Sequence, residues 1–529
     1  MLSAKGYRGG AVTAPHHLAA EAGLAILKEG GNAIEAAVTM AAALAVVYPH
    51  MSGIGGDAFW LLAAPGQPPL AVQGAGFAGI KVEPALYTSR GLTAIPTRGP
   101  LAANTVAGAV DSWREALRYG ALWDSAVPLN RLLEPAIHLA ELGFPVSKSQ
   151  AAMTAEFAGE LATQPGFAAA FLPHGNPPAA GDSFRQPALA ATLRALARDG
   201  LDAFYRGKLA AAIAAELENA GSPLQRSDLD QFRAAFVSPL LLPLKKVRLY
   251  NLPPPTQGLA SLMILGLFER LGVTQADGFS HVHGLVESTR AAFAVRDTLL
   301  GDPDFVPEDP REYIDANKLD EMAAKIDRHR AGTVQPAATP GGTTWFGAID
   351  KNGRSVSVIQ SLYFEFGSGV VLPETGIVWQ NRGSAFRLEG GGPRMLGPGH
   401  VPFHTLNPAL ARFDDGRSMV YGSMGGDGQP QFQAELFTRY AWFGADIADA
   451  IAAPRWLLGK NWGKESPTLK IEAALAKELA GPLAAAGHQV EVLPDLSATF
   501  GHAGAIVRHS DGSFEAASDP RSDGAALGF

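Results

Sequence analysis

The chain has no cysteine. Disulfides, thiolate metal sites, iron–sulfur clusters and a cysteine nucleophile are therefore excluded, although neither redox compartment is. Charge is also sparse, at 18% of 529 residues, with a net value of −8 and no basic run. Nucleic acid is not an expected partner. No apolar run reaches the ~18 residues of a membrane span. The most apolar stretch, residues 33–48, carries Glu35 and reads as a buried helix. There is no apolar leader at the start, so a cytoplasmic protein without a membrane partner is expected. No solenoid repeat or low-complexity linker divides the chain, which favours one interleaved α/β domain.

What is present is apolar enough for a large core, 47% of residues, with 60 glycines and 38 prolines marking many turns. The first 60 residues read as two helices, 17–29 and 33–48, and a buried strand, 59–64. Residues 100–240 are mostly helical by pattern, and 240–251 suggest strands. An apolar helix follows PPPTQG, and another covers 280–300. Residues 328–342 have no periodicity and read as an exposed connection. The pattern then turns to strands, with TTWFGAID and RSVSVIQSLY joined by KNG as a hairpin. Further strands are expected at 376–379, 419–422, 490–493 and 505–509, and helices at 430–443, 447–452 and 473–486.

Without cysteine, a covalent enzyme must use Ser, Thr, Lys or a carboxylate. Gly341-Gly342-Thr343-Thr344 runs a loop of little bulk into a strand that begins with a hydroxyl. That is what an N-terminal threonine nucleophile requires. Its hydroxyl can attack the Gly342 carbonyl, water can release the ester, and the new α-amine (pKa about 7.7–8.0) can act as base. If Asn352-Gly353 is a two-residue turn, Thr344 faces Ser361 and Thr343 faces Leu362. A one-residue bulge would put Ser361 opposite Thr343. In YGSMGGDGQPQ, the amides of Gly425 and Gly426 can form an oxyanion hole at a strand–turn–helix junction. Gly-Gly-Thr-Thr and glycine turns are also common in ordinary loops. His16-His17 and His281-x-His283 are the close histidine pairs. No HExxH or carboxylate cluster at ligand spacing accompanies them, so no metal or other cofactor is expected, and His281 and His283 read as a helix start.

Taken together these blocks resemble the γ-glutamyltransferase family of N-terminal-nucleophile hydrolases. The resemblance runs nearly end to end, through LAAEAGLAILKEGGNAIEAAV, VVYPHMSGIGGDAFWL, GPLAANTVAGAVDSW, PPPTQG, VESTRAAFAVRDTLLGDPDF, GGTTWFGAIDKNGRSVSV, FGSGVVLPETGI, GSMGGDGQPQ and ASDPRSD. It implies a four-layer αββα sandwich. It also implies a precursor cut before Thr343 into a large subunit, 1–342, and a small one, 343–529, with a homo-oligomer of such heterodimers as an open alternative. Family transferases hold the glutamyl α-carboxylate with an arginine where Ala75 stands here, and the α-amino group with an acid where Ala385 stands. Ser361 replaces a threonine, Tyr363 an asparagine, and His404-Thr405 a serine pair. The glutamyl clamp is thus dismantled, while Thr343, Ser361, Gly425 and Gly426 survive.

Arg382, new in the motif WQNRGSAF, can pair with a carboxylate, and Tyr363, His404 and Thr405 would line a smaller pocket. An ion pair inside the protein is the competing role for Arg382. The combination resembles the branch of the family that hydrolyses oxamate to oxalate and ammonia in purine catabolism. A glutathione hydrolase or transferase, a glutaryl-type acylase, and a non-catalytic protein that never matures are the alternatives.

Overall fold

The computed structural model describes residues 2–124, 127–333, 341–459 and 468–529. Fourteen strands build its two main sheets: β1 (Ser3–Tyr7), β2 (Gly10–Ala14), β3 (Asp57–Ala63), β4 (Leu70–Gly74), β5 (Ala235–Val237), β6 (Leu240–Leu244), β7 (Val247–Asn251), β8 (Gly342–Asp350), β9 (Ser355–Tyr363), β10 (Ala409–Phe413), β11 (Ser418–Ser423), β12 (Ala503–Arg508), β13 (Phe514–Ser518) and β14 (Ala525–Gly528). One sheet has the order β1-β13-β12-β11-β10-β7-β6 and the other β14-β2-β8-β9-β3-β4-β5. All pairings within the two are antiparallel.

Side-chain alternation sorts the core into layers. Phe59, Leu61, Trp345, Ile349 and Ile359 meet Leu410, Val420, Ile506 and Ala516 between the sheets. Their neighbours Trp60, Leu62, Phe346 and Ala348 face outward, beneath α1 (His17–Lys28), α2 (Ala33–Val47) and α3 (Ala109–Gly120). On the other sheet, Leu249, Ala411, Met419, Tyr421 and Ala505 lie under α4 (Gly258–Leu271), α5 (Phe279–Leu299), α6 (Gln429–Phe437) and α7 (Ala473–Ala485). Covering both faces of each sheet explains why these strands read as continuous apolar runs. α2 is buried at every position, and its start is fixed by a capping box between Asn32 and Glu35. Among the described residues, no helix is long and apolar enough to cross a membrane.

Trp345 is the tightest fit between the sheets. Its indole lies against Gly422 and Gly504, where an added Cβ would come within 2.1 and 2.5 Å of ring atoms. Its Nε1–H donates to Ser357 Oγ at 3.0 Å.

Several expectations are corrected. β1 and β2 precede the first helix, and these short segments carry too little alternation to signal strands. The turn of the β8–β9 hairpin has three residues, 351–353, because Asp350 Oδ1 accepts both Asn352 N and Arg354 N and Asp350 N bonds to Arg354 O. Pairing is therefore shifted by one, with Ile349 opposite Ser355 and Thr344 opposite Gln360. Residues 376–379 make single bridges, Val371–Val378 and Gly55–Trp379, rather than a strand. The helix expected over 430–443 ends at Phe437 and continues as a π-turn, Thr438–Trp442. Of the exposed connection, residues 334–340 lie outside the described residues.

Candidate active site

The hairpin is regular up to Thr344 and irregular beyond it. Gly342 pairs with Tyr363 and Thr344 with Gln360, so Ser361 and Leu362 together oppose Thr343. That is a bulge on β9, and Tyr363 beside it takes φ 82°, a left-handed conformation costly for an aromatic residue. Thr343 shares strand parity with Trp345, Ser361 with Ile359, and Asp57 with Phe59. All three therefore point between the sheets at one end of the sandwich, where β9 and β3 align Ser361 with Asp57.

The hydroxyls form a short relay. Thr343 Oγ1 donates to Ser361 Oγ at 3.1 Å, and Ser361 Oγ donates to Gly342 O at 2.6 Å. Tyr363 N donates to Ser361 Oγ at 2.8 Å and fixes its position. The attacking oxygen and the carbonyl it would attack are thus joined through one serine. Ser361 can accept the threonine proton while giving its own to the carbonyl oxygen, so attack develops no isolated charge. Thr343 is only 1% exposed.

Gly425 (φ 125°) and Gly426 (φ 50°) form the turn between β11 and α6. Among the described residues, no acceptor pairs with either amide. An added Cβ on Gly341 would lie 3.5 Å from Gly426 Cα and 3.3 Å from Tyr363 O, so in the continuous chain Gly341 occupies the space over this turn. The turn is held from behind. Gln257, at the start of α4, donates through Nε2 to Gly426 O at 2.9 Å and to Thr405 O at 2.6 Å. Arg296 donates to Gln257 Oε1 at 3.1 Å and pairs with Asp427 at 2.9 Å.

Arg382 lies in a 3-10 turn, Arg382–Ala385, and is 1% exposed. Its guanidinium stacks 3.6 Å from the centroid of the Tyr363 ring. Its hydrogen bonds to Phe403 O and Thr405 Oγ1 are long, 3.4 and 3.5 Å, and among the described residues it has no carboxylate partner. The ion-pair role for Arg382 therefore lacks its anion. Burial brings its pKa down to about 10, opposed by Tyr363, Asp57 and Asp427. Burial also pushes the Tyr363 hydroxyl up to about 12.

His404 meets Asp57, with Nε2 to Oδ2 at 2.9 Å, and its Nδ1–H donates to Pro402 O at 2.7 Å. One proton must lie between Nε2 and Oδ2, because two lone pairs cannot face each other at that distance. Burial lowers the imidazole pKa, and the Asp57 bond raises it. Asp57 Oδ1 accepts from Gly76 N, Gly108 N and Gln380 Nε2. With one shared proton the pair is neutral overall, so it brings no net counter-charge to Arg382.

Thr343, Ser361, Gly342 and Tyr363 are brought together directly. Arg382 joins them through Tyr363, while Thr405 and the Gly425–Gly426 turn join through Gln257. The sequence reading missed Asp57, Gln257, Arg296 and Asp427. All four lie inside quoted motifs, VVYPHMSGIGGDAFWL, PPPTQG, VESTRAAFAVRDTLLGDPDF and GSMGGDGQPQ, without an assigned task. His281 and His283 lie in the first turns of α5, as expected. A single carboxylate does accompany one of them: Glu287 follows His283 by four helical positions, and His488 joins them.

The gamma-glutamyltranspeptidase family model matches residues 19–529. The chain is 52% identical over 521 residues to an oxamate amidohydrolase proenzyme of Klebsiella pneumoniae, covering 98% of both. It is 39% identical to a glutathione hydrolase-like YwrD proenzyme of Bacillus subtilis, again covering 98% of both. Cephalosporin acylase from Bacillus halodurans superposes with a TM-score of 0.91 at 31% identity, covering 100% of this chain and 97% of that one.

Proposed function

The chain belongs to the gamma-glutamyltranspeptidase family, and from that premise we propose that it is a self-cleaving amidohydrolase whose substrate is oxamate. The observation that carries this reading is Arg382, a buried guanidinium that has no carboxylate partner among the described residues. A buried cation of this kind calls for an anionic ligand. The relative that is 52% identical bears the matching name.

Maturation begins when Thr343 Oγ1 attacks the Gly342 carbonyl carbon through the Ser361 relay. The proton that Thr343 gives up passes through Ser361 to the carbonyl oxygen and then to the nitrogen as the C–N bond breaks, so the nitrogen leaves as an amine and an ester on Oγ1 remains. Water hydrolyses that ester, leaving the Gly342 carboxylate and a free Thr343 α-amine. The products are a large subunit, 1–342, and a small one, 343–529, which together make the four-layer sandwich. Residues before Thr343 then leave the space over Gly426.

In turnover the α-amine takes the Thr343 hydroxyl proton while the oxygen attacks the amide carbon of oxamate. The amides of Gly425 and Gly426 receive the oxyanion, and Arg382 holds the carboxylate, with Thr405 and His404 beside it. The amide nitrogen leaves as ammonia with the amine's proton, and water releases oxalate from the oxalyl ester. Ala75 and Ala385 at the two clamp positions offer no charge to a γ-glutamyl group's α-carboxylate and α-amino group.

Two measurements test the reading together. Intact mass under denaturing conditions should give chains 1–342 and 343–529, and one uncut chain for Thr343→Ala. Ammonia release should be fast on oxamate and slow on glutamine, with little glutathione hydrolysis. Persistent uncut wild-type protein would remove the enzyme reading, whereas efficient glutathione turnover would move it to the hydrolase alternative.

A further inference from the structure

His283 and Glu287 stand one turn apart on α5 and so share a face. His488, just beyond α7, closes on them from the other side. All three are buried, and their nearest ligand atoms lie within 4.8 Å of one another. His283 Nδ1 is 2.8 Å from His488 Nε2, which is 4.0 Å from Glu287 Oε1.

The surroundings aim these atoms inward. His283 Nε2–H donates to Asp327 O at 2.9 Å, which leaves the Nδ1 lone pair facing His488. A backbone carbonyl on the far nitrogen is the usual support of a metal-bound imidazole. Glu287 is held by Gly332 N at 2.9 Å and by Arg290 Nε at 3.0 Å. His488 Nδ1 has no partner among the described residues, so no hydrogen bond there fixes its tautomer. Moving one proton from Nε2 to Nδ1 presents a second lone pair to the same point.

We propose that His283, Glu287 and His488 bind a divalent first-row cation, with zinc the best match to two imidazoles and a carboxylate. Tetrahedral zinc, with bonds of about 2.0–2.1 Å, sets its ligands about 3.3 Å apart. The imidazole nitrogens therefore separate by about 0.5 Å, while Glu287 Oε1 closes by about 0.7 Å on His488 and by more on His283. A groove of ≈ 550 Å³ lined by Glu287, Arg290 and Gly332 reaches the site from the carboxylate's side, while both imidazoles lie behind it. Two of the ligands precede Thr343 and one follows it. The ion therefore ties the large and small subunits together and anchors the run through Asp327 and Gly332 that leads toward the cut. This bridging role rests on the proposed cleavage, whereas binding itself does not.

The test uses the full protein, stripped with a chelator and dialysed. Titration with Co²⁺ should give tetrahedral d–d absorption that one equivalent of Zn²⁺ displaces, and Zn²⁺ should raise the thermal midpoint. His488→Ala and His283→Ala should each weaken Zn²⁺ binding about 100-fold or more and abolish the thermal shift, while still releasing ammonia from substrate. Replacing the exposed His17 by Ala should change neither readout. Binding that survives both ligand variants, or substoichiometric binding, would mean an adventitious ion only and would overturn the proposal. Thr343→Ala protein should bind Zn²⁺ equally, and in cut protein chelator should lower the urea concentration at which the subunits part. If wild-type protein proves uncut, the bridge fails and the site stands on the titration alone.

Discussion

Two buried arginines, Arg382 beside the threonine hairpin and Arg455 behind α6, live in opposite surroundings. Arg455 Nη2 meets Asp519 at 2.6 Å and also donates to Ile451 O, while Nη1 donates to Phe500 O. Asp519 also receives Arg521, which in turn grips Glu472. Every charge in that cluster is answered by another. Arg296 and Arg439 follow the same pattern, with Asp427 at 2.9 Å and Asp277 at 2.7 Å. Arg382 alone of these four wholly buried guanidinium groups meets only a ring face and two distant oxygens. Paired, a buried arginine is architecture. Unpaired, it is a charge that stability alone would not select, and the proposed carboxylate-binding role rests on it.

The comparison is sharpened most by breaking the closed cluster. Asp519→Ala leaves Arg455 buried without its anion and should cost about 3–5 kcal/mol, read from the urea midpoint. Arg382→Met should do the reverse. Stability should hold or rise, self-cleavage should persist, and KM for oxamate should climb about 100-fold, with Arg382→Lys intermediate because an ammonium cannot form the bidentate fork. A loss of folding in Arg382→Met would erase the distinction.

Histidine offers a third outcome, since it can shed its charge. Burial takes His50 to about 3 and His16 and His502 to about 4. Among the described residues, neither ring nitrogen of His502 has a partner. The unfolded chain binds these protons below pH ~6.5 and the folded one does not, so stability should fall as pH drops from about 6.5 to 4. His502→Gln should flatten that slope by up to about 1.4 kcal/mol per pH unit. The smallest effect belongs to the surface. Arg248 and Asp414 lie 3.7 Å apart and are more than half exposed, so Arg248→Ala should leave the urea midpoint unchanged.

The meeting of Thr343 and Ser361 was legible because a hairpin is local: two strand patterns and a glycine turn bring its ends together. The register was misread by one because the Asp350 side chain, not the Asn-Gly pair, decides the turn length. His404 and Asp57 are 347 residues apart and share no local signal. Arg382 could be named as a candidate, but its lack of an anion is a property of packing. Of the proposed metal ligands, the four-residue spacing of His283 and Glu287 was readable and the arrival of His488 was not.

The indole wedged against Gly422 and Gly504 also constrains how this fold can change over time. A side chain gained first at either glycine meets ring atoms at 2.1 or 2.5 Å and has nowhere to go. Trp345 must shrink before those glycines can grow, and that first step opens a cavity costing about 3–5 kcal/mol. The three positions therefore form a ratchet. A lineage leaves this arrangement by one order of substitutions, through an intermediate weakened two residues from the threonine.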